Sequence, residues 1–236
     1  MRCDVRRVVE ASLLPLAMLG ASAVSAQQCP CTYFGVSANP PTVAIPRKIL
    51  LIPSDVAIYR GTERAEALIK GEKTSIEEEL RDGIGKEKRI EFVALTPLSP
   101  EAQAQVDEHV ALFEQVANAA LRNSQGSAAW PQKVARFDYG IGDGLRFLKQ
   151  VTGADAALFV VGRSSIATAS SYALGAIALL AGVIMVPSGR AAAVVGVVDL
   201  DTGNVIWLNQ AMGANSISNS MRTALRPYPD APAGKK

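Results

Sequence analysis

Residues 153–162 read GADAALFVVG and residues 191–207 read AAAVVGVVDLDTGNVIW. From Ala156 to Gly162 no side chain is polar. A strand of that composition is covered on both faces, as the strands of a helix-flanked sheet are. Ala191 to Leu200 repeats the pattern, and Asp201-Thr202-Gly203-Asn204 then supplies a tight turn. Asp199 is placed to accept bonds from the turn backbone, and Gly203 to take the positive φ that L side chains avoid. Val205 to Asn209 pairs back, so the two strands form a hairpin.

The period changes upstream. Lys48 to Ile52 is a short apolar run before Pro53, a second buried strand that Asp55 to Tyr59 extends after a kink. Thr74-Ser75-Ile76-Glu77 has the form of a capping box, with Ile76, Leu80 and Ile84 on one helical face and Gly83 and Gly85 ending the helix. Arg89 to Leu95 is predicted as a strand. Ser99-Pro100-Glu101 opens a longer helix with the apolar stripe Val106, Val110, Phe113 and Ala117. A third helix covers about Asp143 to Thr152. Strands alternating with helices and closing in a hairpin predict one α/β domain, a mixed sheet with helices packed on it.

Composition sets the outer bounds. The chain has 236 residues, 49% hydrophobic and 19% charged, which excludes an intrinsically disordered protein. A net charge of +2 gives no basic surface for nucleic acid, and a 6% aromatic share gives few stacking platforms for bases. Arg2, Arg6 and Arg7, the apolar stretch Leu13 to Val24 and the small residues Val24-Ser25-Ala26 have the form of an export signal, with a retained N-terminal anchor as the alternative. The expected organisation is a signal peptide at 1–26, an extended lead-in at 27–46, the domain at 47–225 with an apolar insert at 172–187, and a flexible tail at 226–236. The expected location is the periplasm, with outer-membrane association as an option. Gln27 and Gln28 before Cys29 break the small-residue box that a lipoprotein needs. Cys29 and Cys31 are two residues apart, near the upper Cα separation of ~6.8 Å that a disulfide tolerates. A strained internal bridge, an intermolecular bridge and free thiols all stay open.

Gly153, Ala154 and Asp155 before a strand, then Asp199, Thr202, Gly203 and Trp207 in and after a hairpin turn, resemble the second half of a group of bacterial envelope proteins. These are relatives of the curli secretion channel, the penicillin-binding-protein activator lipoproteins and the N-terminal domain of the Tol-system β-propeller protein. The resemblance spans residues 46–212 in layout and extends to uncharacterised envelope proteins with an apolar segment before the same hairpin strand. It implies a non-catalytic envelope domain that acts through protein contacts.

The residues offer little for chemistry. His109 is the only histidine, and a general base needs an orienting partner and a nucleophile in reach. Two thiols and one distant imidazole are too few for a metal site. Gly140-Ile141-Gly142-Asp143-Gly144 invites a phosphate-loop reading, but no Lys-Ser/Thr follows it, and a helix entry capped by Asp143 is favoured. Asp199 and Asp201 are spaced like a catalytic pair, yet with Thr202 and Gly203 they also make a structural turn, the reading preferred here. No catalytic, cofactor-binding or metal residue is therefore assigned.

The insert stands apart. Ala173 to Val186 has no charged side chain, and as a helix it would span ~21 Å, short of a ~30 Å hydrocarbon core. Gly175, Ala178 and Gly182 would share a small-residue face, beside a bulkier one formed by Leu174, Ile177, Leu180 and Ile184. These seven residues are the candidate contact to an envelope protein, a second copy or a membrane. A buried crossover helix between two strands is the competing expectation. The functional expectation is a non-enzymatic accessory or assembly component of the envelope. The alternatives are an oligomeric membrane-associated secretion or transport subunit and, further off, a small-ligand-binding or enzymatic domain.

Overall fold

A computed structural model describes residues 34–36, 46–61, 63–124, 129–166, 189–214 and 216–229. The leader, Cys29 and Cys31, most of the lead-in, the apolar insert and the last seven residues lie outside the described residues. In chain order the strands are β1 (Phe34–Val36), β2 (Lys48–Leu51), β3 (Asp55–Arg60) and β4 (Glu63–Arg64). Helix α1 (Glu66–Glu78) continues through a π-helical turn (Glu79–Ile84) into α2 (Gly85–Lys88), followed by β5 (Glu91–Ala94). Then come α3 (Pro100–Ser124), α4 (Pro131–Ala135), α5 (Arg146–Thr152), β6 (Ala156–Ile166), β7 (Arg190–Asp199), β8 (Val205–Ala214) and α6 (Ile217–Leu225).

One mixed sheet runs β1-β8-β7-β6-β2-β5, with β3 on β6 and β4 on β3. β2, β3 and β5 pair in parallel, while β6, β7 and β8 form an antiparallel meander. This is the predicted mixed α/β domain with its hairpin.

β6 takes both parallel partners on one side because the chain kinks at Pro53, which has no N–H to give the ladder. Leu51 faces Leu158 and Asp55 faces Val161, so four steps along this strand match three along β6. The extra residue is a β-bulge. It shifts the side-chain alternation, so that Ile49 and Leu51 before it and Val56 and Ile58 after it all join the same core cluster.

Helices cover both faces, which explains the unbroken apolar strands. On one face Ile69, Ile76, Leu80 and Ile84 pack with Ile217, Met221 and Leu225 of α6. On the other, Val106, Phe113 and Ala117 of α3 and Leu148 of α5 pack on Leu50, Ala157, Phe159 and Val194. Phe113 stacks on Phe159 at 4.7 Å. Glycines at the contact points let the helices approach. A Cβ on Gly196 would lie 2.5 Å from the Phe113 ring, and one on Gly162 would collide with Ile217.

Three local expectations are corrected. Thr74 and Ser75 do not cap a helix but lie inside α1, bonding back to the Lys70 and Gly71 carbonyls, because the helix starts about two turns earlier, at Glu66. Nor do Gly83 and Gly85 end it. The π turn carries the helix past them to Arg89, which closes it in the left-handed region at φ 59°. An α-helix drifts about 40° for every four residues, and the wider π turn offsets that drift. Ile76, Leu80 and Ile84, spaced by four, thus all stay buried. The Asp143 carboxylate accepts no capping bond; the Asp143 carbonyl accepts from Arg146 N, and α5 starts at Arg146.

Four elements were not anticipated: β1, β4, α4 and α6. The lead-in contributes β1, antiparallel to β8. After the hairpin, α6 starts at Ser216, whose Oγ accepts from Asn219 N, while Glu72 Oε1 of α1 accepts from Ser218 N. A carboxylate there suits the positive end of a helix. At the other end, buried Asn209 donates to the Ala224 carbonyl at 2.8 Å.

Gly196→Ala should lower unfolding free energy by about 1–3 kcal/mol, since the added methyl would lie 2.5 Å from the fully buried Phe113 ring. Urea denaturation checks this; an unchanged midpoint would mean that α3 does not rest on β7 as closely as described.

Candidate functional site

The region of interest is the end of the β6–β7 pair, from which the apolar insert departs. β6 and β7 keep antiparallel register from Ala156 opposite Asp199 to Ser165 opposite Arg190. Gly189 N donates to Ser165 O at 2.6 Å. The chain therefore leaves at Ile166 and returns at Gly189 on the neighbouring strand. A connection between adjacent antiparallel strands needs no crossover, and the helix expected there lies outside the described residues. Leu174, Gly175, Ile177, Ala178, Leu180, Gly182 and Ile184 lie outside the described residues.

A charged lock sits just inside this end. Arg163 on β6 donates to Asp55 Oδ2 and Glu114 Oε1, both at 2.7 Å, and to the carbonyls of Asp55 and Gly162. Its side chain is 16% exposed, against 34% for Asp55 and 19% for Glu114. Burial works against the guanidinium charge, but the Asp55 and Glu114 carboxylates outweigh it and hold the Arg163 pKa above its usual value. Three elements meet there: β6, the start of β3 just after the bulge, and the middle of α3. Sequence reasoning did not single out these residues. The available signal was an arginine directly after seven apolar residues, where a buried charge requires a partner.

The opposite end holds the hairpin turn. Asp199 Oδ1 accepts from Asp201 N at 3.0 Å, Thr202 N at 2.8 Å and Thr202 Oγ1 at 2.9 Å. Gly203 has φ 69° and packs on the Gly142 carbonyl, leaving no room for a Cβ. The Gly140–Gly144 loop is tied to this turn, with Ile141 N on Gly203 O and Val205 N on Tyr139 O. Gln105 Nε2 bonds Gly144 O at 2.7 Å, and the His109 ring lies over Gly144 while its Nδ1 meets Gln105 O. Asp201 pairs with Lys149 at 2.5 Å, and Lys149 also reaches Asp155 at 3.5 Å. The hydrogen bond from Lys149 holds the Asp201 carboxyl below its usual pKa, and Asp201 raises Lys149 in turn.

A third feature opens beside the bulge. Where β5 ends, a crevice of about 210 Å³ is lined by Leu51, Pro53, Leu80, Leu95, Leu158 and Val160, with Glu77 and Arg81 among its walls. Among the described residues no three His, Cys, Asp or Glu side chains are grouped to hold a metal, and no helix is long and apolar enough to cross a membrane.

No protein-family profile and no curated protein matches the chain. Two solved structures of PelC dodecamers from Paraburkholderia phytofirmans, one a point variant, are weakly similar to it. The variant is 14% identical with a TM-score of 0.38, covering 86% of this chain and 100% of its own. The second is 11% identical with a TM-score of 0.32 and the same coverage. Neither score reaches the level at which a shared fold is assigned.

Two outcomes test the charged groups. Arg163→Met should destabilise the domain by about 2–4 kcal/mol, because two partly buried carboxylates lose their partner; Asp55→Asn and Glu114→Gln, which leave Arg163 one carboxylate each, should cost less. Urea midpoints give the ranking, and Arg163→Met as the mildest of the three would exclude a lock. For Asp201, whose folded pKa is depressed, the pair's stabilisation exists above the unfolded value of about 3.9 and vanishes as pH falls through the folded value. Asp201→Asn should melt below wild type at neutral pH and together with it near pH 2, as thermal scans at both pH values will report.

Proposed function

We propose that this chain is an exported, non-catalytic envelope protein whose α/β domain is a platform for the apolar segment 172–187, which contacts an envelope partner, a second copy or a membrane. One observation carries the reading: β6 and β7 are adjacent antiparallel strands paired as far as Ser165 and Arg190, so the segment joins two ends that already lie side by side. The sheet and both core clusters described above are drawn from residues outside 167–188. Yet the segment is the most apolar stretch of the chain after the leader. An apolar run of this length has to be covered, and on this reading a surface outside the domain covers it.

The leader-like start and the resemblance of residues 153–207 to envelope domains support export and a role in assembly. The Arg163 lock supports the platform reading mechanically. It fastens α3 and β3 to β6 a few residues below the departure point, so a load on the segment meets a fixed base.

The test replaces residues 167–188 by Asn-Gly, which suits a two-residue hairpin. The shortened protein should keep the near-UV circular dichroism and cooperative melt of the parent. The full chain should give in-cell photo-crosslinks to a protein or a lipid from Leu180 or Ile184. Failure to fold would make the segment part of the core. Intact folding of a full chain that gives no crosslink to protein or lipid would remove the contact role.

A further inference from the structure

We propose that the crevice beside the Pro53 bulge binds a small carboxylic acid, with its apolar body on Leu80, Leu158 and Val160 and its carboxylate at Arg81. Topology places a cleft here. β2 runs parallel to β5 on one side and to β6 on the other. From β2 the chain continues through β3 and β4 into α1, which packs on one face of the sheet before β5 is reached. From β5 it returns through α3 and α5, which pack on the opposite face, before β6. The two connections thus diverge at the carboxyl ends of the strands around β2, the place where open α/β sheets bind their ligands. The crevice lies at that point, lined by the bulge after β2, the end of β5, and Leu158 and Val160 of β6.

Size and charge set the ligand class. The crevice measures about 210 Å³, and an apolar cavity of about 150 Å³ already holds a benzene ring. One ring or one branched chain on a short tether therefore fits. Leu80, Leu158 and Val160 are buried in the core, so the floor keeps its shape without the ligand. Arg81 is exposed on the wall and makes no hydrogen bond or ion pair among the described residues. The Ser54 hydroxyl, half-buried on the bulge, makes none either, so a guanidinium and a hydroxyl are both open to an anion. Glu77, one turn before Arg81 on the same wall, repels a second negative charge. A monocarboxylate satisfies these groups where a dianionic phosphate does not.

Burying the apolar body is worth about 10- to 100-fold in affinity, and a charge-assisted contact to Arg81 adds about tenfold. Together they set a dissociation constant of about 1–10 mM, so the site fills and empties with the concentration around it. The site uses no residue of the 167–188 segment or its base, so it stands or falls separately from the platform role.

The experiment uses the chain from Gln27 onward with labelled Leu and Val methyl groups, followed by NMR. It is titrated with phenylacetate, phenylpropionate and isocaproate, with the matching amides, and with phenyl phosphate. The acids should shift the methyls of Leu80, Leu158 and Val160 with dissociation constants below about 10 mM, and the amides should bind about tenfold more weakly. Arg81→Gln, a surface change with little effect on folding, should weaken the acids by the same factor and abolish the acid–amide difference. Leu95→Trp, which fills the crevice from its half-buried rim, should abolish the shifts from acids and amides alike. Crevice methyls left unmoved by every acid at concentrations well above about 10 mM would overturn the proposal. So would equal binding of acid and amide by the wild type, or an acid preference that survives Arg81→Gln. Tighter binding of phenyl phosphate than of phenylacetate would overturn the assigned ligand class.

Discussion

The burial of β6 on both faces governs the rest of the molecule. Seven consecutive apolar residues, Ala156 to Gly162, cannot lie at a surface, so helices must arrive from both sides. α1 and α6 supply one layer, and α3 with α5 the other. The small residues of the central strands set how closely these layers approach. Gly162 admits Ile217, Gly196 admits Phe113, and Ala191 and Ala193 lie under α6. Fully burying a Leu, Val or Phe side chain is worth about 1.5–3 kcal/mol, and over β6 and β7 that outweighs any single polar contact at the sheet ends. The charged groups accordingly select geometry more than they add stability.

Where the sequence and the structure agree, the reason is local. The Asp199 turn rests on a side chain within five residues of everything it binds, and the strands at 48–51, 156–162 and 191–199 are apolar enough to be read from composition. Where they part, the deciding partner is distant. Thr74 and Ser75 satisfy a capping pattern that only the preceding turn of α1 overrides. Gly83 and Gly85 look like terminators until Leu80 and Ile84 are seen to need one continuing face against the sheet. α6 carried readable signs, an N-cap serine at 216 and an apolar stripe at Ile217, Met221 and Leu225, but its place depends on Glu72 and Asn209 elsewhere in the chain.

The candidate sites divide in the same way. The apolar insert was legible because its composition is extreme, and its point of attachment was not, since strand direction is a pairwise property. The Arg163 lock joins residues 49 and 108 positions apart. Its members are ordinary charges one at a time and become informative only together. The crevice has no sequence signature, being the space left when Pro53 turns one strand away from another.

That bulge has a consequence for how the chain can change over generations. Between Leu51 and Asp55 the count of residues is fixed, because losing one would turn Val56 and Ile58 to the α3 face and carry Asp55 away from Arg163. Between Ile166 and Gly189 the chain joins two strands that already pair side by side, so their register does not set the length of the connection. The domain thus combines a joint whose length the register fixes with one whose length it leaves open. Novelty is expected to accumulate at the second, while the first keeps the frame that carries it.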